Sequence, residues 1–139
     1  MKNLLFLPFF LISSLVWAQQ PYSFEAAQKQ AAAESKKILL VFSGSDWCGP
    51  CIKMDKNLWS QPDFQAYAAK ALVFFKADFP RRKKNQLSSE QQKVNNQLAE
   101  IYNPEGYFPR VLLLDAQGSI IKQFTYDDRS PAAFIQALE

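Results

Sequence analysis

The chain has 139 residues, with 16 Lys and Arg against 13 Asp and Glu for a net charge of +3, no His and two Cys. That length suits one domain of roughly 100–200 residues, which excludes a multidomain assembly, and so mild a charge without a basic stripe points away from nucleic acid. The missing His excludes Ser-His-Asp and Cys-His catalysis and histidine-ligated zinc, and two Cys are too few for a disulfide-stapled scaffold.

In chain order, Met1-Lys2-Asn3 forms a short positive region, Leu4 to Val16 is almost wholly apolar, and Val16-Trp17-Ala18 supplies the small or modest residues of a cleavage site. This reads as a secretory signal peptide over 1–18, followed by one domain over 19–139. A transmembrane anchor is the alternative, but about thirteen apolar residues fall short of the roughly twenty that a spanning helix needs. The protein is therefore expected in the periplasm or secreted, where disulfides form.

Ser23 is placed to cap a helix over about 23–35, with Glu25 in its first turn. Ile38 to Phe42 is a continuous apolar run and reads as a strand buried on both faces, ending at the turn cluster Ser43-Gly44-Ser45. Beyond the cysteines, Ile52, Met54, Leu58 and Trp59 suggest one helical face, broken at Gln61-Pro62, and a short helix over 63–69 follows. Residues 71–77 form a second strand, and the polar stretch 78–86 contains Arg81-Arg82-Lys83-Lys84. Ser88 or Ser89 caps a helix whose Val94, Leu98, Ile101 and Tyr102 form an apolar face. Residues 110–115 are a third strand, Ala116-Gln117-Gly118 a turn, 119–124 a fourth strand, and Ser130-Pro131 opens a last helix. Helix-joined strands followed by a hairpin predict an α/β fold with both parallel and antiparallel pairings.

The chemistry sits in Trp47-Cys48-Gly49-Pro50-Cys51, between the first strand and a helix. Two thiols with two residues between them can close a disulfide when the intervening residues bend into a helix start, and Pro tolerates that first turn. Cys48 then lies where free amide N–H groups favour a thiolate, and Cys51 lies one turn deeper. Cys48 is the expected nucleophile, Cys51 the resolving thiol, and Trp47 an apolar wall. A structural disulfide closing so small a loop would stabilise little. A metal centre would need further Cys or His ligands, so no metal is expected, with copper(I) held by the pair as the alternative.

The strand followed by Trp47-Cys48-Gly49-Pro50-Cys51 and a helix, with Phe108-Pro109 leading into strand and hairpin, resembles the thioredoxin fold: a central mixed sheet of about four strands flanked by helices. The phrase from Phe42 to Cys51, followed by Lys53-Met54, is similar to secreted bacterial thioredoxin-like proteins and to the C-terminal domain of the membrane thiol reductant transporter. The resemblance implies a cis peptide bond before Pro109, and Trp47, Gly49, Pro50, Phe108 and Pro109 as substrate-contacting residues. It also implies no cofactor beyond the redox-active Cys48–Cys51 pair, protein disulfides as substrates, a membrane electron donor for re-reduction, and action as a monomer.

Two departures stand out. Thioredoxins commonly hold a buried acid six residues before the first cysteine, where this chain has Phe42, and the lysine often paired with it falls near Phe74. Water or a partner residue is then left to take the Cys51 proton. Asp46 reads as solvated or a helix cap, and Arg81-Arg82-Lys83-Lys84 as a solvated loop, with docking onto an acidic partner as the alternative. The resulting expectation is an exported thiol–disulfide oxidoreductase. Thioredoxin lies at about −270 mV and the oxidant DsbA at about −120 mV, and Gly49-Pro50 resembles the former, so reduction is the expected direction. A disulfide oxidase or isomerase, and a non-catalytic binding module, are the alternatives.

Overall fold

The computed structural model describes residues 23–139, so the signal-peptide reading of 1–18 lies outside the described residues. Among these, the elements run α1 (Phe24–Glu34), β1 (Lys37–Ser43), α2 (Gly49–Met54) continuing into a π-helical turn (Asp55–Trp59), α3 (Pro62–Ala71), β2 (Leu72–Asp78) and a short 3-10 turn (Lys83–Asn85). Then come α4 (Ser89–Tyr102), β3 (Arg110–Leu114), β4 (Ile120–Phe124) and α5 (Pro131–Leu138). The strands form one sheet in the order β2-β1-β3-β4, with β1 parallel to β2 and antiparallel to β3, and β3 antiparallel to β4.

β1 is central and buried from Ile38 to Ser43, as its uninterrupted apolar run predicts. Its side chains alternate between two cores. Ile38, Leu40 and Phe42 join Phe75, Leu112, Ala27 and Ala31 beneath α1 and α4, while Leu39 and Val41 join Trp59, Phe64, Phe134 and Leu138 beneath α2, α3 and α5. Trp59 stacks within 5.4 Å of Phe64, Phe74 and Phe134 at ring centroids. Ser23, Ser88 and Ser130 each accept the N–H three residues on, the capping expected of them.

Several expected details shift. The helical run breaks before Gln61-Pro62 as expected, and Pro62 itself opens α3, which extends to Ala71 rather than 69. Ile52 is 46% exposed, because it lies about 200° around the helix from Met54 and faces away from the core that takes Met54, Leu58 and Trp59. Ile101 is 69% exposed, since α4 is rotated to bury Asn95 instead. That amide can enter the core because it donates to the Asp78 carbonyl at 2.8 Å and accepts from Gln91 at 2.9 Å. β3 stops at Leu114 because Asp115 turns its carboxylate onto the N–H groups of Gln117 and Ser119.

Trp59→Ala removes the ring joining α2, α3 and α5, and an unfolding free-energy loss of about 3–5 kcal/mol is expected in urea titration; a loss under about 1 kcal/mol would contradict this packing.

Candidate active site

β1 ends at Ser43, and the turn Gly44–Trp47 carries the chain to Cys48, whose N–H bonds the Gly44 carbonyl at 2.9 Å. Cys48 caps α2 with extended backbone, and its Sγ accepts the Cys51 N–H at 3.3 Å. Pro50 occupies the first turn, where its missing N–H costs nothing. Cys48 and Cys51 are joined as a disulfide, their Cα atoms 5.2 Å apart, within the ordinary span for such a bond. Cys51 is the deeper of the two, at 2% exposure against 5%, and its Sγ accepts the Gly44 N–H at 3.5 Å. The asymmetry expected of the pair is thus present: one sulfur at the helix start beside exposed Gly49 and Pro50, the other a turn inside.

Trp47 is more than an apolar wall. Its indole N–H donates to the Phe79 carbonyl at 2.7 Å, its ring meets Phe108 edge-on at 5.3 Å, and the Arg81 guanidinium lies 3.8 Å above it. Phe79 in turn packs on Phe108 at 5.5 Å and Phe42 at 6.4 Å. The ring lies so close over the turn that a Cβ at Gly44 would sit 2.3 Å from it, so only glycine fits there. Asp78, at the end of β2, receives the Ser45 N–H at 2.9 Å and the Ser45 hydroxyl, tying the turn to the sheet. The sequence reading did not single out Phe79 or Asp78, and it took Arg81 only as part of a basic loop; all three lie at or just beyond the end of β2, the parallel neighbour of the strand that delivers Cys48.

Asp46 is neither simply solvated nor a cap on the cysteine helix. Its carboxylate accepts the N–H groups of Arg81 and Arg82 and the Asn85 side-chain amide, each at 2.9 Å. These bonds, that from Arg81 foremost, hold its carboxyl below the usual aspartate pKa. Phe42 is wholly buried at the strand position of the thioredoxin acid, and Phe74 packs against the Trp59 cluster. A carboxylate–lysine pair exists elsewhere: Asp55, one turn past Cys51, accepts from Lys76 Nζ at 2.7 and 2.8 Å.

Pro50, Tyr107, Phe108, Pro109, Arg110 and Tyr126 line a groove of about 310 Å³, which Phe108 joins to the Trp47 ring. The Phe108–Pro109 peptide bond is cis, as expected. Buried Asn103 positions this segment by accepting the Tyr107 N–H at 3.0 Å and donating to its carbonyl at 2.8 Å. Arg110 pairs with Glu105 at 3.3 Å. Gly49 and Pro50 lie between the cysteines, Trp47 directly precedes them, and Phe108 reaches this segment through the Trp47 ring, while Pro50, Phe108 and Pro109 share one groove with Tyr107 exposed at its rim.

Gly44→Ala is expected to displace the indole and cost about 1–3 kcal/mol of stability, read as a lower denaturation midpoint and a moved Trp47 indole N–H resonance. For Asp46 the sign follows from its lowered folded-state pKa. Its hold on the 81–85 loop is complete above the unfolded value of about 3.9 and is lost as pH falls through the folded value. Amide exchange at Arg81 and Arg82 should accelerate over that range, and Asp46→Asn should remove the pH step; an unchanged step would assign it to another group.

A family model described as thioredoxin-like matches residues 17–116. The chain is 31% identical over 117 residues to the disulfide bond reductase DsbH of Chlamydia pneumoniae, covering 84% of this chain and 69% of that one. Among solved structures, a DsbH oxidoreductase superposes with a TM-score of 0.76 at 29% identity, over 84% of this chain and 78% of that one. The reduced C-terminal domain of DsbD from Neisseria meningitidis superposes at 0.54 with 25% identity, over 83% of this chain and 90% of that one. These likenesses and the bonded cysteine pair at a strand–helix junction make the chain a thiol–disulfide oxidoreductase, and it belongs to the thioredoxin-like family.

Proposed function

We propose that the protein is an exported reductase of protein disulfides, working through the Cys48–Cys51 pair with no metal and no cofactor beyond that pair. The observation that carries the reading is the asymmetry of the two sulfurs, with Cys48 capping the start of α2 next to Trp47 and Cys51 a turn deeper.

In the reduced protein, the amide N–H groups at the start of α2 favour a Cys48 thiolate. That sulfur attacks one sulfur of a substrate disulfide, forms a mixed disulfide and releases the other as a thiolate, which takes a proton from water. Cys51, once deprotonated, attacks Cys48 Sγ. The Cys48–Cys51 bond forms, the mixed disulfide breaks, and the second substrate sulfur leaves reduced. Two electrons pass from the protein dithiol to the substrate. Trp47, Gly49, Pro50, Phe108 and Pro109 form the surface that receives the substrate chain. Both Gly49-Pro50 and the likeness to a protein named as a disulfide bond reductase support this direction.

Reduction in an oxidising compartment requires a source of electrons, and a membrane electron donor is the partner this cycle implies. Export rests on the N-terminal pattern Met1 to Ala18, with the domain over 19–139 acting as a monomer in the periplasm or outside the cell.

Cys48→Ser should lower insulin reduction by at least about a thousandfold, whereas Cys51→Ser should accumulate the mixed disulfide on Cys48; turnover surviving in Cys48→Ser would refute the mechanism. Acid-quenched alkylation in the native cell should find Cys48 and Cys51 mainly as free thiols. A mainly oxidised pair, with a potential above about −150 mV, would assign the protein to disulfide formation instead.

A further inference from the structure

The loop carrying Arg81-Arg82-Lys83-Lys84 is built against the site rather than hanging from it. The Asp46 carboxylate holds its backbone at Arg81 and Arg82 and its Asn85 side chain, the Trp47 indole holds the Phe79 carbonyl, and Gln86 donates to the Pro80 carbonyl at 3.0 Å. Arg81 lies on the ring of the residue next to Cys48. All four basic side chains are exposed, and among the described residues none of the ion pairs involves them. The two nearby carboxylates are turned inward, Asp46 to this loop's own donors and Asp78 to Ser45. In the groove and in the neighbouring pocket against α2, by contrast, Arg110, Lys53 and Arg129 are matched by Glu105, Asp128 and Asp127. One rim of the site is therefore strongly cationic and the other is balanced.

We propose that this fixed basic loop is a docking surface for acidic protein segments, so that the preferred substrates are disulfides with Asp or Glu within a few residues of the cysteine attacked. The proposal rests on the dithiol reading of Cys48 and Cys51 and names the substrate class of that site. An extended substrate strand advances about 3.3 Å per residue, so side chains two to four positions from its cysteine fall about 7–13 Å away, and the loop reaches the site through Arg81, which lies over the residue next to Cys48. Clustered exposed charge raises encounter rates about tenfold or more at low salt and fades as the screening length shortens. The hydrogen bonds to Asp46 and Trp47 keep that charge in place before the substrate arrives, which lowers the ordering cost of binding.

The test uses the reduced protein and three synthetic cystine peptides that differ only in residues flanking the disulfide: acidic, neutral and basic. At about 20 mM salt, kcat/KM should favour the acidic over the basic peptide by about tenfold, collapsing toward equality at about 0.5 M NaCl. The triple variant Arg82→Glu, Lys83→Glu, Lys84→Glu should reverse the order. The salt series on the unaltered protein stands by itself if that variant folds poorly. Equal rates on the three peptides at low salt, or a preference that the folded variant retains, would overturn the docking surface and leave the reductase reading intact. Binding of the loop to vesicles containing anionic lipid without any peptide preference would equally overturn it, in favour of a membrane surface. Failure to reduce any of the three peptides would overturn the reductase reading and the docking surface with it.

Discussion

Everything that positions the chemistry depends on burying β1 from both sides. A strand that packs Ile38, Leu40 and Phe42 under one helix layer and Leu39 and Val41 under the other can neither slip nor turn over, because a one-residue shift would exchange both faces at once. Its end is therefore a fixed point. Five residues beyond Ser43, after one turn, Cys48 is delivered to the start of a helix whose own inner face, at Met54, Leu58 and Trp59, is anchored in the same core. Cys48, only 5% exposed, is thereby held at the start of α2, and its location is set by strand packing.

The turn between strand and helix is shaped by close approach. Gly44 lets the Trp47 ring approach the backbone closely, and that ring then meets Phe108 edge-on and carries Arg81 over its face. Residues from three places in the chain, the turn after β1, the loop after β2 and the segment before β3, thereby become one surface around the disulfide. Asp46 and Asn103 do equivalent work at its two edges. Each spends its side-chain polar atoms on backbone groups of a loop that has no helix or strand to satisfy them.

The interior beneath the cysteines is apolar where thioredoxins commonly hold an acid. Phe42 stacks on Phe79, and Phe79 meets Phe108 edge-on, so a chain of rings links the end of β1 to the wall of the groove. An ionised carboxylate in that layer would lack a partner and carry a large desolvation cost. The Asp55–Lys76 pair lies at the partly solvated border instead, where both charges can be held without full dehydration.

Local signals were sufficient for much of this. The two-sided apolar run of β1, the serine caps, Pro131 at a helix start and the Cys-Gly-Pro-Cys spacing each express short-range sterics or hydrogen bonding, and so can be read from neighbouring residues. The places where reading failed share a physical origin. Ile52 and Ile101 are exposed because a helix can bury only one stripe, and which stripe is decided by the sheet it meets: α4 turned toward Asn95 once Asp78 and Gln91 supplied partners for that amide. The roles of Asp46, Phe79 and Arg81 depend on contacts about 32 to 36 residues apart that arise only when β2 pairs alongside β1. The sequence by itself thus determined the fold class, the identity of the reactive pair and which thiol lies deeper, because those follow from composition and local geometry. Only the tertiary structure decided what surrounds the pair, because the wall, the groove and the basic rim come from separate segments that meet through packing across the sheet.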